Sequence, residues 1–181
     1  LRQGDNVIEL GGALGIISKV IRNQIGNNAI HIVVEPNIDI IEVCKINAEN
    51  SEVIYAAIAY GTKTVSMSTT ASLLDNRVDE QMQETLNTII TPAITLSSLV
   101  PKMNGNNFIL VCDIEGAEAQ LVDKDSKAFK NCWKIIMEVH DEFIKQNGYE
   151  LNHMILQLTS YGFTQISLKK NVLFMVKLDA P

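Results

Sequence analysis

Short apolar runs and helical repeats alternate along the first third of the chain. Residues 7–10 are an apolar run that is followed by glycines, which predicts a buried strand. Between residues 15 and 25 the apolar positions recur at helical spacing, which predicts a helix. Two more runs, 30–34 and 53–58, predict strands, and Asn37 can cap a helix between them. Strand, helix, strand, helix and strand with short connections indicate a parallel sheet with right-handed crossovers.

The middle of the chain is less regular than its beginning. Residues 65–68 alternate as in a strand, whereas residues 69–88 are polar, acidic and rich in Thr, Gln and Asn. A segment of that length is typical of a long functional loop or lid, here with a helical turn near residues 79–86. Residues 94–96 predict a further short strand, and residues 97–103 predict a short helix.

The last part of the chain begins with its most apolar run, Phe-Ile-Leu-Val-Cys at residues 108–112. The elements predicted after it are a helix at 117–129, a strand at 133–139, a helix at 151–161 and two strands at 163–168 and 172–178. The last two runs flank a Lys-Lys-Asn turn, which predicts an antiparallel hairpin. The fold class is therefore α/β, a single domain whose mainly parallel sheet is flanked by helices and ends in an antiparallel hairpin.

Composition and charge narrow the function classes. The chain has 181 residues, 46% of them hydrophobic and 20% charged, which are ordinary globular values and argue against disorder. Its formal charge is −6, so the chain lacks the excess of basic residues that a protein needs to bind duplex nucleic acid or an anionic membrane surface. No apolar stretch approaches the ~20 residues of a membrane span. None of these features specifies an oligomeric state.

The cysteines indicate a reducing cellular compartment rather than disulfide bonds. Cys44, Cys112 and Cys132 are odd in number and far apart, without the spacing of a disulfide framework or a zinc site. We therefore expect buried structural thiols in a reducing compartment, the cytoplasm. No signal peptide precedes the first predicted strand, and so abrupt a beginning leaves open whether a segment upstream of Leu1 is missing.

Glycines follow the first predicted strand, at the sheet edge where α/β folds bind ligands. Gly11, Gly12 and Gly15 come directly after Glu9 and Leu10. Glycines there allow positive φ and a close backbone approach to a ligand, although a tight strand–helix turn without a ligand has the same appearance. The spacing is not the GxGxxG that binds nicotinamide dinucleotides.

The second predicted strand ends in Glu35, Pro36 and Asn37. An acidic residue about twenty positions after a glycine turn is placed to accept both hydroxyls of a ribose. Pro36 holds Glu35 in an extended conformation, which helps to aim the carboxylate. The alternative is a solvated charge at a strand end, which the glycine turn makes the weaker interpretation.

Two later strands also end in ionisable groups. Asp113, Glu115 and Glu118 surround a glycine after the strand at 108–112. Three carboxylates in six residues are more than a helix cap needs, although Glu118 could support the next helix while Glu115 faces solvent. Glu138 and His140 end the following strand and share one face of it, so the histidine is a candidate base, proton shuttle or metal ligand.

These stretches together resemble the FkbM family of S-adenosylmethionine (SAM) methyltransferases, from about residue 4 to residue 178. The matching pattern is Glu9 to Gly15, Glu35-Pro36-Asn37, Asn47, Ala57-Ile58, Thr95-Leu96, Asp113 to Glu118, Glu138 to His140 and Tyr161-Gly162-Phe163. D-x-E-G-x-E together with E-x-H is its most specific part. The resemblance implies a Rossmann-like class I methyltransferase fold.

The resemblance also implies a cofactor, SAM, with S-adenosylhomocysteine as its product. Glu35 is then expected to bind the ribose, the glycine turn and Glu9 the amino-acid part, and Asp113 to lie near the sulfonium. The full set of expected cofactor contacts is Glu9, Gly11, Gly12, Ala13, Gly15, Glu35, Pro36, Asn37, Ala57, Ile58 and Asp113.

The methyl acceptor is expected to be a hydroxyl on a small molecule or a glycan. His140 is the first candidate for the base that takes its proton, oriented by Glu138, and Asp113 is the second. Alternatively Asp113, Glu138 and His140 could hold a divalent cation that lowers the pKa of the acceptor. We rank the cation lower and predict no metal site, because the spacing does not show that three ligands converge.

Other functions stay open at this point. The enzyme could instead methylate a nitrogen of a peptide or protein amide. Where the family has Asn, this chain has Ala13; Glu9 replaces the usual Asp, and Ala59-Tyr60 replaces an acidic residue after the third strand. These departures would suit a degenerate module that binds SAM without catalysis. An NAD-dependent oxidoreductase lacks its glycine spacing.

Overall fold

The structure is a computed structural model that describes residues 1–68, 77–78 and 88–178. Its elements in chain order are β1 (Val7–Leu10), α1 (Ile16–Ile25), β2 (His31–Glu35), α2 (Ile41–Asn47), β3 (Glu52–Tyr55), β4 (Ala57–Ile58), β5 (Thr64–Ser68), β6 (Arg77–Val78), β7 (Thr88–Ile94), α3 (Leu96–Leu99), β8 (Phe108–Cys112), α4 (Glu118–Lys124), β9 (Cys132–Glu138), α5 (Asp141–Gln146), α6 (Leu151–Ser160), β10 (Thr164–Lys169) and β11 (Val172–Val176). Single 3₁₀ turns follow α3 at Val100–Met103 and α4 at Ala128–Lys130.

The larger of two sheets has seven strands in the order β10-β11-β9-β8-β1-β2-β3. Strands β9, β8, β1, β2 and β3 are parallel, and β10 and β11 add an antiparallel hairpin at one edge. The predicted fold class is thereby confirmed. The chain leaves β1 towards β2 and later returns to pair β8 on the other side of β1, so the carboxyl ends of β1 and β8 mark the switch in strand order.

The smaller sheet was not predicted. It has the order β4-β7-β5-β6, with β4 parallel to β7 and the other pairs antiparallel. The run at 53–58, predicted as one strand, divides at Ala56 so that β3 joins the large sheet and β4 the small one. The strand predicted at 94–96 is wrong beyond Ile94, because Leu96 begins α3 and Thr95 caps that helix by accepting from the Ser98 N–H.

Two helix predictions differ from the structure, and the predicted lid is not covered by it. The helix expected at 117–129 ends at Lys124, and the short helix α5, absent from the predictions, follows β9. Most of the loop or lid predicted at 69–88, with its turn at 79–86, lies outside the described residues.

Helices cover both faces of the large sheet. On one face the core joins alternate residues of β1, β2 and β8 to α3, α4, α5 and α6, and it contains Phe108, Phe129 and Phe163. On the other face Ile21 and Ile25 of α1 pack on the sheet, and α2 packs there through Cys44. No helix in the described ranges has the length and apolar character that crossing a membrane requires.

Helix α1 turns a different face to the sheet from the one its pattern suggests. Ile16, Ile17 and Val20 are exposed, whereas Arg22 is buried next to Ile21 and Ile25. The Arg22 guanidinium donates to the carbonyls of Gly26 and Ala29, each at 3.0 Å, and these bonds compensate its burial.

Candidate cofactor and acceptor site

A cleft opens at the carboxyl ends of β1, β2 and β8, where the strand order switches. The empty space within it is about 700 Å³, counting the open solvent at its mouth. Its lining is Gly11, Ala13, Val34, Glu35, Pro36, Ile40, Ala56, Ala57, Ile58, Met67, Asp113, Ile114, Glu115 and Ala117. Seven of the predicted cofactor contacts are in this lining; Glu9, Gly12, Gly15 and Asn37 are not.

Packing within the protein, as well as the approach of any ligand, requires glycines in the turn after β1. A Cβ on Gly11 would lie 1.8 Å from the Asp113 carbonyl oxygen, and one on Gly12 would lie 2.4 Å from Val33 Cγ1. Gly15 has a φ of 76°, and a Cβ on it would lie 2.7 Å from the Cys44 carbonyl oxygen of α2. The glycines therefore let β1, β8 and α2 come close together, and Gly11 lines the cleft.

Glu35 is fixed by the same turn. One carboxylate oxygen accepts the Ala13 N–H at 2.6 Å and the other accepts the Asn37 N–H at 2.7 Å. Burial raises the pKa of Glu35, the two backbone N–H groups oppose that rise, and the charge of Glu9 adds to it. Each carboxylate oxygen keeps a lone pair, so the group can still accept hydrogen bonds from a ligand.

Glu9 has a buried partner outside the cleft lining. Its carboxylate accepts from His31 Nε2 at 3.0 Å, and both side chains are almost completely buried. His31 Nδ1 lies 2.8 Å from the Ser51 hydroxyl, which in turn contacts Arg22. Glu9 thus belongs to a polar chain beneath α1, and its expected contact with the cofactor stays a prediction.

A cluster of ionisable groups lies at the β8 end of the cleft. His140 Nδ1 is 3.0 Å from Glu118 Oε1, and Nε2 is 3.5 Å from Glu115 Oε2 and 3.7 Å from Asp113 Oδ1. Asp113 and Glu115 line the cleft. The sequence expectation that Glu138 orients His140 is wrong in this respect: the chain turns after β9, and the imidazole meets Glu118 at the start of α4 instead.

The carboxylates of the cluster favour a proton on the imidazole. The hydrogen bond to Glu118, followed by the negative charges of Glu118, Glu115 and Asp113, raises the pKa of His140 to about 9 against the effect of burial. Burial and the charge of Glu138 raise the pKa of Asp113, and His140 opposes that rise. His140 is therefore protonated at neutral pH in the cofactor-free protein and must lose that proton before it can act as a base.

The same cluster is a candidate metal centre, which the sequence spacing did not show. Asp113, Glu115 and His140 each offer one ligand atom, and these atoms lie within 4.8 Å of one another. Glu115 takes the place that the sequence analysis gave to Glu138. The signal for Glu115 and Glu118 was present in the D-x-E-G-x-E motif, but spacing alone could not assign their partners.

A second cavity adjoins the cleft and shares with it Ile58, Ile114, Glu115 and Ala117. Its remaining lining is Ala59, Gln120, Asn147 and Tyr149. Glu115 is its charged lining group, and the amides and the phenol are neutral hydrogen-bonding groups.

Comparisons with solved structures identify the fold. Fibrillarin from Aeropyrum pernix, solved with natively bound SAM, has a TM-score of 0.54 at 13% identity, over 97% of this chain and 66% of that one. A TehB-like SAM-dependent methyltransferase from Corynebacterium glutamicum has a TM-score of 0.51 at 9% identity, over 98% and 82%. Precorrin-6y C5,15-methyltransferase from Geobacter metallireducens has a TM-score of 0.51 at 10% identity, over 97% and 79%.

The sequence comparisons identify the family. Among curated proteins, no sequence matches this chain significantly. The family model described as the methyltransferase FkbM domain matches residues 12–164, which is most of the chain and includes every element from the glycine turn to α6. The chain therefore belongs to the FkbM methyltransferase domain family and is a methyltransferase.

Proposed function

We propose that this enzyme methylates a hydroxyl group of a small molecule or a glycan. The observation that carries the proposal is that the two cavities share four lining residues, one of which is Glu115. One cavity has the features of a cofactor site, the other has neutral polar walls, and ionisable groups that can receive a hydroxyl proton lie at their junction.

Glu35 would bind the ribose of the cofactor. Its two carboxylate oxygens are held by the Ala13 and Asn37 N–H groups, so that binding costs little further ordering of the side chain. Ala57 and Ile58 supply an apolar wall next to Glu35 for the adenine. SAM supplies, when bound, an electrophilic methyl group on a positively charged sulfur.

The charge of the cleft suits that cation. Asp113 and Glu115 line the cleft, and Glu138 adds its negative charge to the field at Asp113. Carboxylates at this end stabilise a sulfonium by direct Coulomb attraction. An incoming positive charge also disfavours the proton on His140, because two cations near the same carboxylates repel each other.

The acceptor oxygen attacks the methyl carbon, the carbon–sulfur bond breaks, and sulfur keeps the electron pair. Holding the reacting groups in line supplies much of the acceleration in such a displacement. In the metal-free protein the hydroxyl proton passes to His140 Nε2, or to Asp113 if His140 retains its own proton. Glu118 positions the ring by holding Nδ1.

The donor half of the proposal can be tested by calorimetry with SAM, S-adenosylhomocysteine and NAD. We expect SAM and its product to bind and NAD not to bind. An absence of SAM and product binding at millimolar concentration would contradict the proposal for this chain.

The assignment of His140 as the base has its own test. His140→Ala should reduce turnover strongly and leave SAM affinity nearly unchanged, whereas equal losses of turnover and of affinity would defeat that assignment.

The acceptor half can be tested with methyl-tritiated SAM. A panel of neutral polyols and glycosides, a peptide mixture and RNA are each incubated with the enzyme, and the products are separated by size and by resistance to alkali. We expect label in small molecules as alkali-resistant methyl ethers. Label in the peptide fraction would favour amide N-methylation instead, and SAM binding without transfer to any acceptor would favour a non-catalytic module.

The cytoplasm is the compartment that we propose for this enzyme. All three cysteines are free and buried, which suits a protein folded under reducing conditions. Fractionation of the native cells with an antibody to the chain would test this, and recovery outside the cytoplasmic fraction would contradict it.

A further inference from the structure

We infer that Asp113, Glu115 and His140 form a divalent-cation site at the junction of the two cavities, where the cation binds the acceptor's hydroxyl. The existence of the site stands on the geometry of the cluster. Its part in methyl transfer rests on the proposed function.

The distances within the cluster suit an ion better than direct hydrogen bonds. His140 Nε2 is 3.5 Å from Glu115 Oε2 and 3.7 Å from Asp113 Oδ1. Both separations exceed the roughly 2.7–3.2 Å of an N–H···O hydrogen bond. An ion with metal–ligand bonds of about 2.1 Å holds neighbouring ligand atoms about 3–4 Å apart. The nitrogen is therefore spaced from each carboxylate oxygen as two ligands of one ion are, and all three ligand atoms lie within 4.8 Å of one another.

The imidazole is supported as a metal ligand usually is. Glu118 is completely buried, and its Oε1 accepts from His140 Nδ1 at 3.0 Å and from the Gly116 N–H at 3.1 Å. When an ion displaces the proton of Nε2, the proton that stays on Nδ1 leaves the lone pair of Nε2 directed to Asp113 and Glu115. A carboxylate on the second nitrogen of a metal-bound histidine fixes its tautomer and raises its basicity.

Charge gives a second, independent reason for a cation. Three carboxylates face a single imidazole, and in the part of the chain that the structure describes the ion pairs of Asp113 and Glu118 are those with His140. The second oxygen of Glu118, Oε2, is buried without a hydrogen-bond partner. Buried negative charge of this kind is costly unless a positive charge lies nearby, and a divalent ion supplies more of it than one imidazolium.

The donor set indicates which ions fit. Two carboxylates and one imidazole suit Mg²⁺ or Mn²⁺ rather than an ion that prefers thiolates. The Asp113 side chain is half exposed, so the remaining coordination positions can be reached by water and by a ligand from the second cavity.

The cation would change how the acceptor loses its proton. A hydroxyl bound to a divalent ion has a lowered pKa, so it ionises near neutral pH and its proton leaves to solvent water beside Asp113. The resulting oxygen anion attacks the methyl carbon, and the carbon–sulfur bond breaks with its electron pair going to sulfur. With the ion in place His140 is a ligand and not the base.

The test is a titration of the whole chain with Mn²⁺, in which binding is measured by electron paramagnetic resonance as the loss of the free-ion signal. We expect one bound Mn²⁺ per chain, displaced by excess Mg²⁺. Asp113→Asn and His140→Gln should each weaken binding about tenfold or more. The control Glu142→Gln, an exposed carboxylate two residues after His140, should bind Mn²⁺ as the unmodified protein does.

SAM calorimetry on the same variants separates the two proposals. His140→Gln that loses Mn²⁺ but still binds SAM is folded and supports the cation site, whereas Asp113→Asn is expected to lose SAM affinity as well because Asp113 lines the cofactor cleft. If the unmodified protein does not bind Mn²⁺ at millimolar concentration with or without SAM, or if Asp113→Asn and His140→Gln bind it unchanged, the site is disproved while the methyltransferase proposal stands. Mn²⁺ binding at these ligands in a protein that transfers no methyl group to hydroxyls would contradict the proposed function and leave the cation site intact.

Discussion

Ala13 adopts a conformation that its side chain disfavours. Its φ is 45°, in the left-handed region, and its N–H donates to Glu35. A non-glycine residue with such a φ destabilises the folded protein by about 1–2 kcal/mol. Glycine removes this strain, but it also makes the unfolded chain more flexible, which offsets part of the gain in stability. We predict that Ala13→Gly raises the free energy of unfolding by about 1 kcal/mol in a denaturant titration. The control Ala48→Gly, at a φ of −88°, should lower it, and equal losses in both variants would show that Ala13 is unstrained.

Glu35 offers a residue-scale test of the cofactor site. In Glu35→Gln the NH₂ of the new side-chain amide must face the backbone N–H of either Ala13 or Asn37, so one hydrogen bond is lost. The cost of burying a negative charge at this position disappears at the same time. We predict a net stability change within about 1 kcal/mol, because these effects offset each other. SAM affinity should fall at least tenfold by calorimetry, since an anionic acceptor for the ribose is gone, and the exposed control Glu42→Gln should keep it. A variant that loses stability but not affinity would make Glu35 structural only.

At the scale of elements, the turn between β8 and α4 fits closely against α5. Gly116 has a φ of 102°, and a Cβ there would lie 2.4 Å from Phe143 Cβ. Gly148 shares the positive φ, at 77°, but has nothing within 4 Å of such a Cβ. Gly148→Ala should therefore cost only the conformational strain, about 1 kcal/mol, and Gly116→Ala about 3 kcal/mol because it adds the clash. Chemical denaturation measures both, and equal costs would show that α5 does not pack on this turn.

Sequence periodicity predicted the elements that alternate regularly and failed where tertiary contacts decide. From β1 to β3 the apolar runs and the glycine breaks were sufficient, because β1 and β2 are buried on both faces and are therefore almost continuously apolar. The division of 53–58 at Ala56 was not visible, since both halves are equally apolar and only the partner strand differs. In α1 the apolar residues Ile16 and Val20 are exposed, whereas Arg22 is buried and its hydrogen bonds to the Gly26 and Ala29 carbonyls compensate that burial.

At the scale of the whole molecule, the candidate site joins residues from three separate parts of the chain. The strand ends that carry Glu35, Asp113 and His140 could be predicted, because parallel strands place their carboxyl ends at one edge. The partner of His140 could not, since it depends on how the chain turns between β9 and α5. Glu118 lies 22 residues from His140 in sequence and meets it only because α4 begins beside that turn.

The labelling rates of the three cysteines measure whether the molecule unfolds as a whole. Cys112 and Cys132 lie in the core on one face of the large sheet, and Cys44 lies under α2 on the other. Burial raises the pKa of Cys44 and of Cys132 to about 12 and that of Cys112 well above its usual range. Because only a thiolate reacts with a disulfide reagent, we predict that none reacts in the native protein at pH 8 as fast as free cysteine does. Mass spectrometry should show all three labelled at one common rate, the rate of global unfolding, because both cores share the same sheet. Faster labelling of Cys44 alone would instead show that α2 opens while the β8–β9 side remains folded.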